Sequence, residues 1–143
     1  MTVLTSNVRN GLSFEMGFCK TLGQHGFWVH RVTPNAAGQQ PCDVIAIKDH
    51  KHFLIDCKLL TAQHGAFRFS RVEDNQRDSM RMFRQRGEAD GWFAIGTMDN
   101  RVRMLSLNTI EHLEKVGKIS IPERELDEWC IPLEEWLESC QRF

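Results

Sequence analysis

The sequence predicts an α+β fold, a mixed β-sheet flanked by helices. An apolar stripe of helical period opens the chain, three strand-like runs follow, and a second helix precedes another pair of strands. The resulting order is α-β-β-β-α-β-β. At 143 residues there is room for one ordinary domain, spanning 1–143, and not for two.

The first helix is expected over residues 12–22, where Leu12, Glu15, Met16, Cys19 and Leu22 recur at helical spacing before Gly23 and Gly26 end it. Residues 27–32, rich in aromatic and β-branched side chains, read as a strand, and residues 33–41, with two prolines and a glycine, as a loop. Residues 43–48 and 52–59 form a hairpin across Asp49, His50 and Lys51. After a loop over 61–69, Ser70 and Glu73 match a capping box for a helix that continues to about Arg86 and stops at Gly87. Residues 92–98 and 102–107 make a second hairpin. Asn108 caps a short helix over 109–116, residues 118–121 form a short edge strand, and Pro132 starts a last helix with Leu133, Trp136, Leu137 and Cys140 on one stripe.

Composition narrows the function classes. With 41% apolar and 26% charged residues the chain is globular rather than disordered, and no apolar run approaches a membrane span. The N-terminus has neither the basic start nor the apolar stretch of a signal peptide. Five scattered cysteines without a Cys-x-x-Cys pair argue against a disulfide framework and a structural zinc site. They point to a reducing, cytoplasmic setting, in a bacterial cell or a virus-infected host cell. The net charge of −1 conceals two unlike parts, +5 over residues 1–87 and −6 over 88–143, so an anionic partner is expected at the first part.

Four polar residues sit where periodicity calls for apolar ones. Glu15 lies within the first helical stripe, and Gln76 within the stripe Val72, Gln76, Met80, Phe83 of the second helix. Asp56 and Lys58 share a strand face with Leu54, while Phe53, Ile55, Cys57 and Leu59 form an apolar opposite face. Each has a plain structural reading: a helix-surface acid or amide, a solvated strand face, a turn acid at Asp43. Their conjunction is harder to reach by chance. Carboxylates converging on one sheet face suit a hard divalent cation such as Mg²⁺, with the backbone carbonyl of Cys57 completing the shell. Lys58 is then placed to orient or deprotonate a water, or to balance charge on phosphorus, and such a site favours phosphodiester hydrolysis.

Glu15, Asp43, Asp56-Cys57-Lys58 and Gln76, taken in this element order, resemble the PD-(D/E)XK nuclease superfamily, and within it the Holliday junction resolvases of the RecU and archaeal types. Asn10-Gly11 with Glu15 resembles the N-terminal glycine-plus-acid motif of the RecU family. Phe67, Asn75-Gln76 and Met80 resemble its Phe-to-His-Gln-to-Met stretch, and residues 91–95 its glycine-led apolar strand. The chain departs from the pattern in three places: Cys42 separates Pro41 from Asp43, Asp56 stands where Glu is usual, and Asn75 where many relatives carry His. The likeness covers about residues 9–107 and leaves 108–143 as an acidic C-terminal extension.

The resemblance implies a restriction-endonuclease-like αβββαβ core and DNA cleavage dependent on Mg²⁺, with Mn²⁺ as a substitute. It implies Asp43 and Asp56 as metal ligands, Lys58 as the catalytic lysine, Glu15 as an auxiliary ligand and Gln76 as a positioning group. Two matched cuts in a four-way junction imply a homodimer. DNA phosphates are expected on Arg68, Arg71, Arg77, Arg81 and Arg84, with Lys48 and Lys51 as a second patch and the 33–40 loop entering a junction or groove. The Arg-rich helix also reads as a solvated face with i,i+4 ion pairs. The expected function is a structure-selective junction-resolving endonuclease of recombination and repair. The alternatives are a general or restriction-type nuclease, a non-catalytic DNA-binding module, or an interaction protein docking through Trp129 and Trp136.

Overall fold

In a computed structural model of the chain, which describes residues 11–33, 40–61, 65–87 and 89–140, the aromatic and β-branched runs assemble into one six-stranded sheet. Its strands are β1 (Trp28–Arg31), β2 (Val44–Lys48), β3 (Lys51–Leu59), β5 (Trp92–Gly96), β6 (Val102–Ser106) and β8 (Ile131–Pro132), neighbours in that order. All pairs are antiparallel except β3 with β5, which run parallel because helix α2 (Asp74–Gly87) carries the chain back over the sheet between them. The β2–β3 hairpin closes on Asp49 and His50, both at positive φ, the left-handed pair that a two-residue turn of matching twist requires. Two short strands, β4 (Ala66–Arg68) and β7 (Ser120–Pro122), form a separate ladder. The segment expected as a loop over 61–69 thus contains a strand.

Each face of the sheet has its own core. Helices α1 (Gly11–Gln24) and α5 (Leu133–Ser139) cover one, where Phe14, Phe18 and Leu22 meet Val44, Ala46, Ile55, Ala94 and Met104. On the other, Met80 of α2 and Ile110 and Leu113 of α3 (Leu107–Lys115) join Phe67, Phe93, Ile95 and Leu105. A short helix α4 (Leu126–Trp129) adds Leu126 to this side. Among the described residues no helix is long and apolar enough to cross a membrane, and all five cysteines are free.

Three local expectations change. The buried face of α1 is Phe14, Phe18, Thr21 and Leu22, while Leu12 and Met16 face out, 54% exposed each. Two equally spaced apolar stripes compete on this helix, and the aromatic one, with more area to remove from water, wins. Ser70 does not cap α2: it sits in a 3₁₀ turn (Phe69–Arg71), and the helix starts three residues later. There Gln76 Oε1 accepts from the Glu73 N–H, the reach-back half of a capping box shifted by one turn. Ser106, not Asn108, caps α3, its side chain accepting from the Thr109 N–H.

The acidic C-terminal residues complete the sheet. Strand β8 pairs with β6, and Trp136 of α5, 1% exposed, packs against Phe27, Phe53 and Trp92. Trp129 lies against the second core. Asn10 and residues 34–39, on which the glycine-plus-acid motif and the junction-entering loop were placed, lie outside the described residues.

Candidate active site

The site forms where the β2–β3 ladder ends. Val44 pairs with Ile55, and beyond that pair β3 continues to Leu59 without β2 beside it. The next inward-facing amide, the Cys57 N–H, would lack a partner there. Asp43 supplies one: its own N–H donates to Ile55 O at 3.1 Å, and its Oδ2 accepts from Cys57 N at 2.8 Å. The Cys57 carbonyl leaves the strand on the same side as its N–H, toward Asp43. Its thiol, pushed well above the ordinary range by burial and the nearby carboxylates, stays protonated, so only the carbonyl oxygen can serve a hard cation.

Asp56 and Lys58 share the face that periodicity assigns them, beneath the first turn of α2. The Asp56 side chain is fully buried. Gln76 Nε2 donates to its Oδ1 at 3.0 Å, and Lys58 Nζ lies 2.6 Å from its Oδ2 and 3.4 Å from Gln76 Oε1. The ammonium is within ion-pair distance, and among the described residues Oδ2 has no well-formed hydrogen bond. Burial, and then the negative charge of Asp43, push the Asp56 carboxyl up from 3.8 to about 7, against the pull of Lys58. A buried carboxylate with an under-satisfied oxygen beside a second, half-buried one fits a divalent cation, which would hold both groups ionised.

Glu15 stands apart from that pair. Its Oε1 is 3.3 Å from Arg31 Nη1. Burial and then Asp43 raise its carboxyl, and Arg31 offsets part of the rise. Among the described residues no three His, Cys, Asp or Glu side chains converge as a metal-holding set. The structure therefore brings together Asp43, Asp56, Lys58 and Gln76, and places Glu15 beside them on an arginine.

The basic residues divide. Arg68, on β4, and Arg71 are exposed, and Arg71 Nη1 donates to Leu59 O at the end of β3. Arg77 is in a two-bond pair with Glu114, at 2.7 and 3.1 Å, and Arg81 and Arg84 share Glu111 at 2.7 and 3.0 Å. These partners come from α3, across the groove, rather than from the helix's own i,i+4 acids. Lys48 donates to His25 O and lies over the Phe27 ring, and Lys51 donates to Cys140 O. Both sit at the hairpin turn, some five residues or roughly 17 Å along the strand from Asp43.

Two residues escaped the sequence reading. Gln40 Nε2 donates to Asp43 Oδ1 at 2.7 Å, and Arg31 pairs with Glu15. Arg31 carried a faint signal, a basic residue ending an apolar strand. Gln40 carried none, being one polar residue in a polar loop.

A mixed sheet with an acid at the end of one strand, acid-x-Lys on the next and a supporting glutamine on the crossover helix defines a nuclease of the PD-(D/E)XK class. Comparison with known families narrows this: the model of the archaeal Holliday junction resolvase (Hjc) family matches residues 6–142, and the chain belongs to that family. It is accordingly an endonuclease acting on DNA. The match takes in residues 108–142, so the likeness does not stop at 107. Among solved structures, the Holliday junction resolvase Hjc of Archaeoglobus fulgidus, an archaeal hyperthermophile, is 17% identical. The alignment covers 88% of this chain and 96% of that one with a TM-score of 0.63, a likeness of fold. No curated protein sequence matches.

Proposed function

We propose that the chain is a homodimeric, Mg²⁺-dependent resolvase that hydrolyses phosphodiester bonds in four-way DNA junctions, in the cytoplasm of its host cell. The observation that carries this reading is the buried Asp56 carboxyl, with Lys58 against it and the half-buried Asp43 beside it. Asp43, Asp56 and the Cys57 carbonyl would hold the cation, with Glu15 as an auxiliary ligand once released from Arg31 and Mn²⁺ as a substitute. When bound there, the cation polarises a phosphoryl oxygen and lowers the pKa of water. Gln76 fixes the Asp56 carboxylate and, through its other amide atom, the approach of Lys58. Lys58 puts an ammonium where negative charge grows on the phosphoryl group.

Arg68 and Arg71, free of carboxylate partners among the described residues and close to Lys58 along the chain, are the first phosphate contacts. Arg77, Arg81 and Arg84 reach DNA by exchanging Glu114 and Glu111 for phosphate. Lys48 and Lys51, at the far end of the hairpin, would serve only a longer DNA arm. An open hollow of about 530 Å³ beside the site, lined by Pro41, His52, Leu54, Met82 and Phe83, is the surface for the second copy that two matched cuts need.

The test uses labelled four-way junction, linear duplex and single-stranded DNA, with wild type and Asp56→Ala, with and without Mg²⁺. Junction cleavage by wild type alone, only with metal, is expected. Cleavage of linear duplex at equal rate would make this a general nuclease, and binding without cleavage in every metal condition would leave only a DNA-binding module.

A further inference from the structure

Consecutive residues of the first turn of α2 reach both acids of the site, one directly and the other through Gln40. Gln76 donates directly to Asp56. Its neighbour Asn75 donates from Nδ2 to the backbone carbonyl of Gln40 at 2.9 Å, and the Gln40 side chain donates to Asp43 Oδ1 at 2.7 Å. We infer that Asn75 and Gln40 form a relay of positioning residues that aims the Asp43 carboxylate at the metal site, so that one helical turn sets the spacing of both acids. This rests on the proposed metal-dependent function and goes beyond it, since neither residue touches the reacting atoms.

The physical need is clear from the charges. Asp43 and Asp56 repel each other, and an unrestrained Asp43 side chain, only partly buried, would swing toward solvent. Two donors prevent this. Cys57 N–H holds Oδ2 and Gln40 Nε2 holds Oδ1, so the carboxylate plane cannot rotate, while each oxygen keeps a lone pair for a cation. A neutral amide suits this role better than a basic side chain. It restrains the carboxylate without cancelling the charge that attracts a divalent ion, whereas Arg31 holds Glu15 by neutralising it.

The amide orientation is also determined. Flipping Gln40 would set its Oε1 against Asp43 Oδ1, oxygen facing oxygen. Among the described residues the buried Oε1 has no hydrogen-bond partner, a cost accepted to keep Nε2 on the acid. Asn75 in turn ties the backbone of Gln40 to α2 across 35 positions of sequence. Asn75, which stands where the RecU-type pattern carries His, thereby has a specific contact of its own.

Affinity for Mn²⁺, whose free ion is counted by electron paramagnetic resonance, is measured on the DNA-free full chain for wild type, Gln40→Leu, Asn75→Ala, the double variant and Asp43→Asn. Unfolding midpoints in chelator report whether each variant folds. Gln40→Leu is expected to weaken binding about tenfold, Asn75→Ala by less, and the double variant no more than Gln40→Leu alone, because both act on one carboxylate. Cleavage by Gln40→Leu should recover at raised metal concentration while its unfolding midpoint in chelator stays near that of wild type; a destabilised site would instead show a lowered midpoint. Wild-type affinity in Gln40→Leu, tighter binding, or additive losses in the double variant would each overturn the relay while leaving the proposed function intact. If Gln40→Leu does not fold, unchanged affinity in Asn75→Ala overturns it instead. A wild type that binds no Mn²⁺ while Asp43→Asn behaves identically would overturn the metal-dependent reading, and the relay with it.

Discussion

Metal-free protein should lose stability as pH rises from 4 to 8, and Asp56 should be the main cause. In the unfolded chain this carboxyl titrates near 3.8; in the folded chain it holds its proton up to about 7. Between those values the folded state binds more protons than the unfolded one. The contribution is therefore fully present below pH 4 and is lost as pH climbs through 7. The full span is worth about 4 kcal/mol, which for a chain of this length lowers the unfolding midpoint by roughly 8–16 °C. Glu15 and Asp90, both raised, add smaller effects of the same sign, whereas Asp99, Glu111 and Asp127, held low by hydrogen bonds and arginines, matter only in stronger acid. The assay is thermal unfolding in chelator from pH 5 to 8.5 for wild type and Asp56→Asn. The variant, with nothing to ionise, should flatten most of the slope, and Mg²⁺ should restore wild-type stability at high pH. A wild-type midpoint that stays level or rises across this range, or a variant with the same slope, would refute the electrostatic account of the site.

Other perturbations separate packing, DNA contact and assembly. Gly91→Ala should cost about 1–3 kcal/mol in denaturant unfolding, because the new methyl would sit 2.4 Å from the Sδ and Cγ of fully buried Met80. Arg71→Ala should weaken junction binding and flatten its dependence on log salt by about one charge, measured by fluorescence anisotropy. Arg81→Ala, whose side chain is 44% exposed on a carboxylate, should change stability by less than about 1 kcal/mol in the same unfolding assay. Met82→Glu, on a side chain 53% exposed beside the apolar hollow, should shift the sedimentation equilibrium toward monomer without altering the monomer's circular dichroism.

The order of helices and strands was legible because each element carries its own period, and Asp56 and Lys58 could be placed on one face by counting residues in twos. Gln76 stood out as an amide in the stripe of Val72, Met80 and Phe83, but a helix-surface position fitted it equally well until Asp56 and Lys58 were set beside it. Helix α1 was misjudged because Leu12, Met16 and Cys19 repeat as regularly as Phe14 and Phe18, and only tertiary packing chooses between them. Three longer-range features left no local trace. The pairing of Arg77 and Arg81 with α3 depends on two helices meeting across a groove. The strand β4 exists only because β7 lies beside it. Gln40 acts through a loop whose sequence resembles any polar connection.

The last helix has a consequence for any trimming of the protein. Trp136 comes late in the sequence, yet Phe27, Phe53 of β3 and Trp92 of β5 all pack against its indole. A cut ahead of β8 would bare those rings to water and leave β6 as an open edge. A protease that nicks the acidic segment therefore strikes at the sheet itself, and the damage would spread to the strands that carry the site.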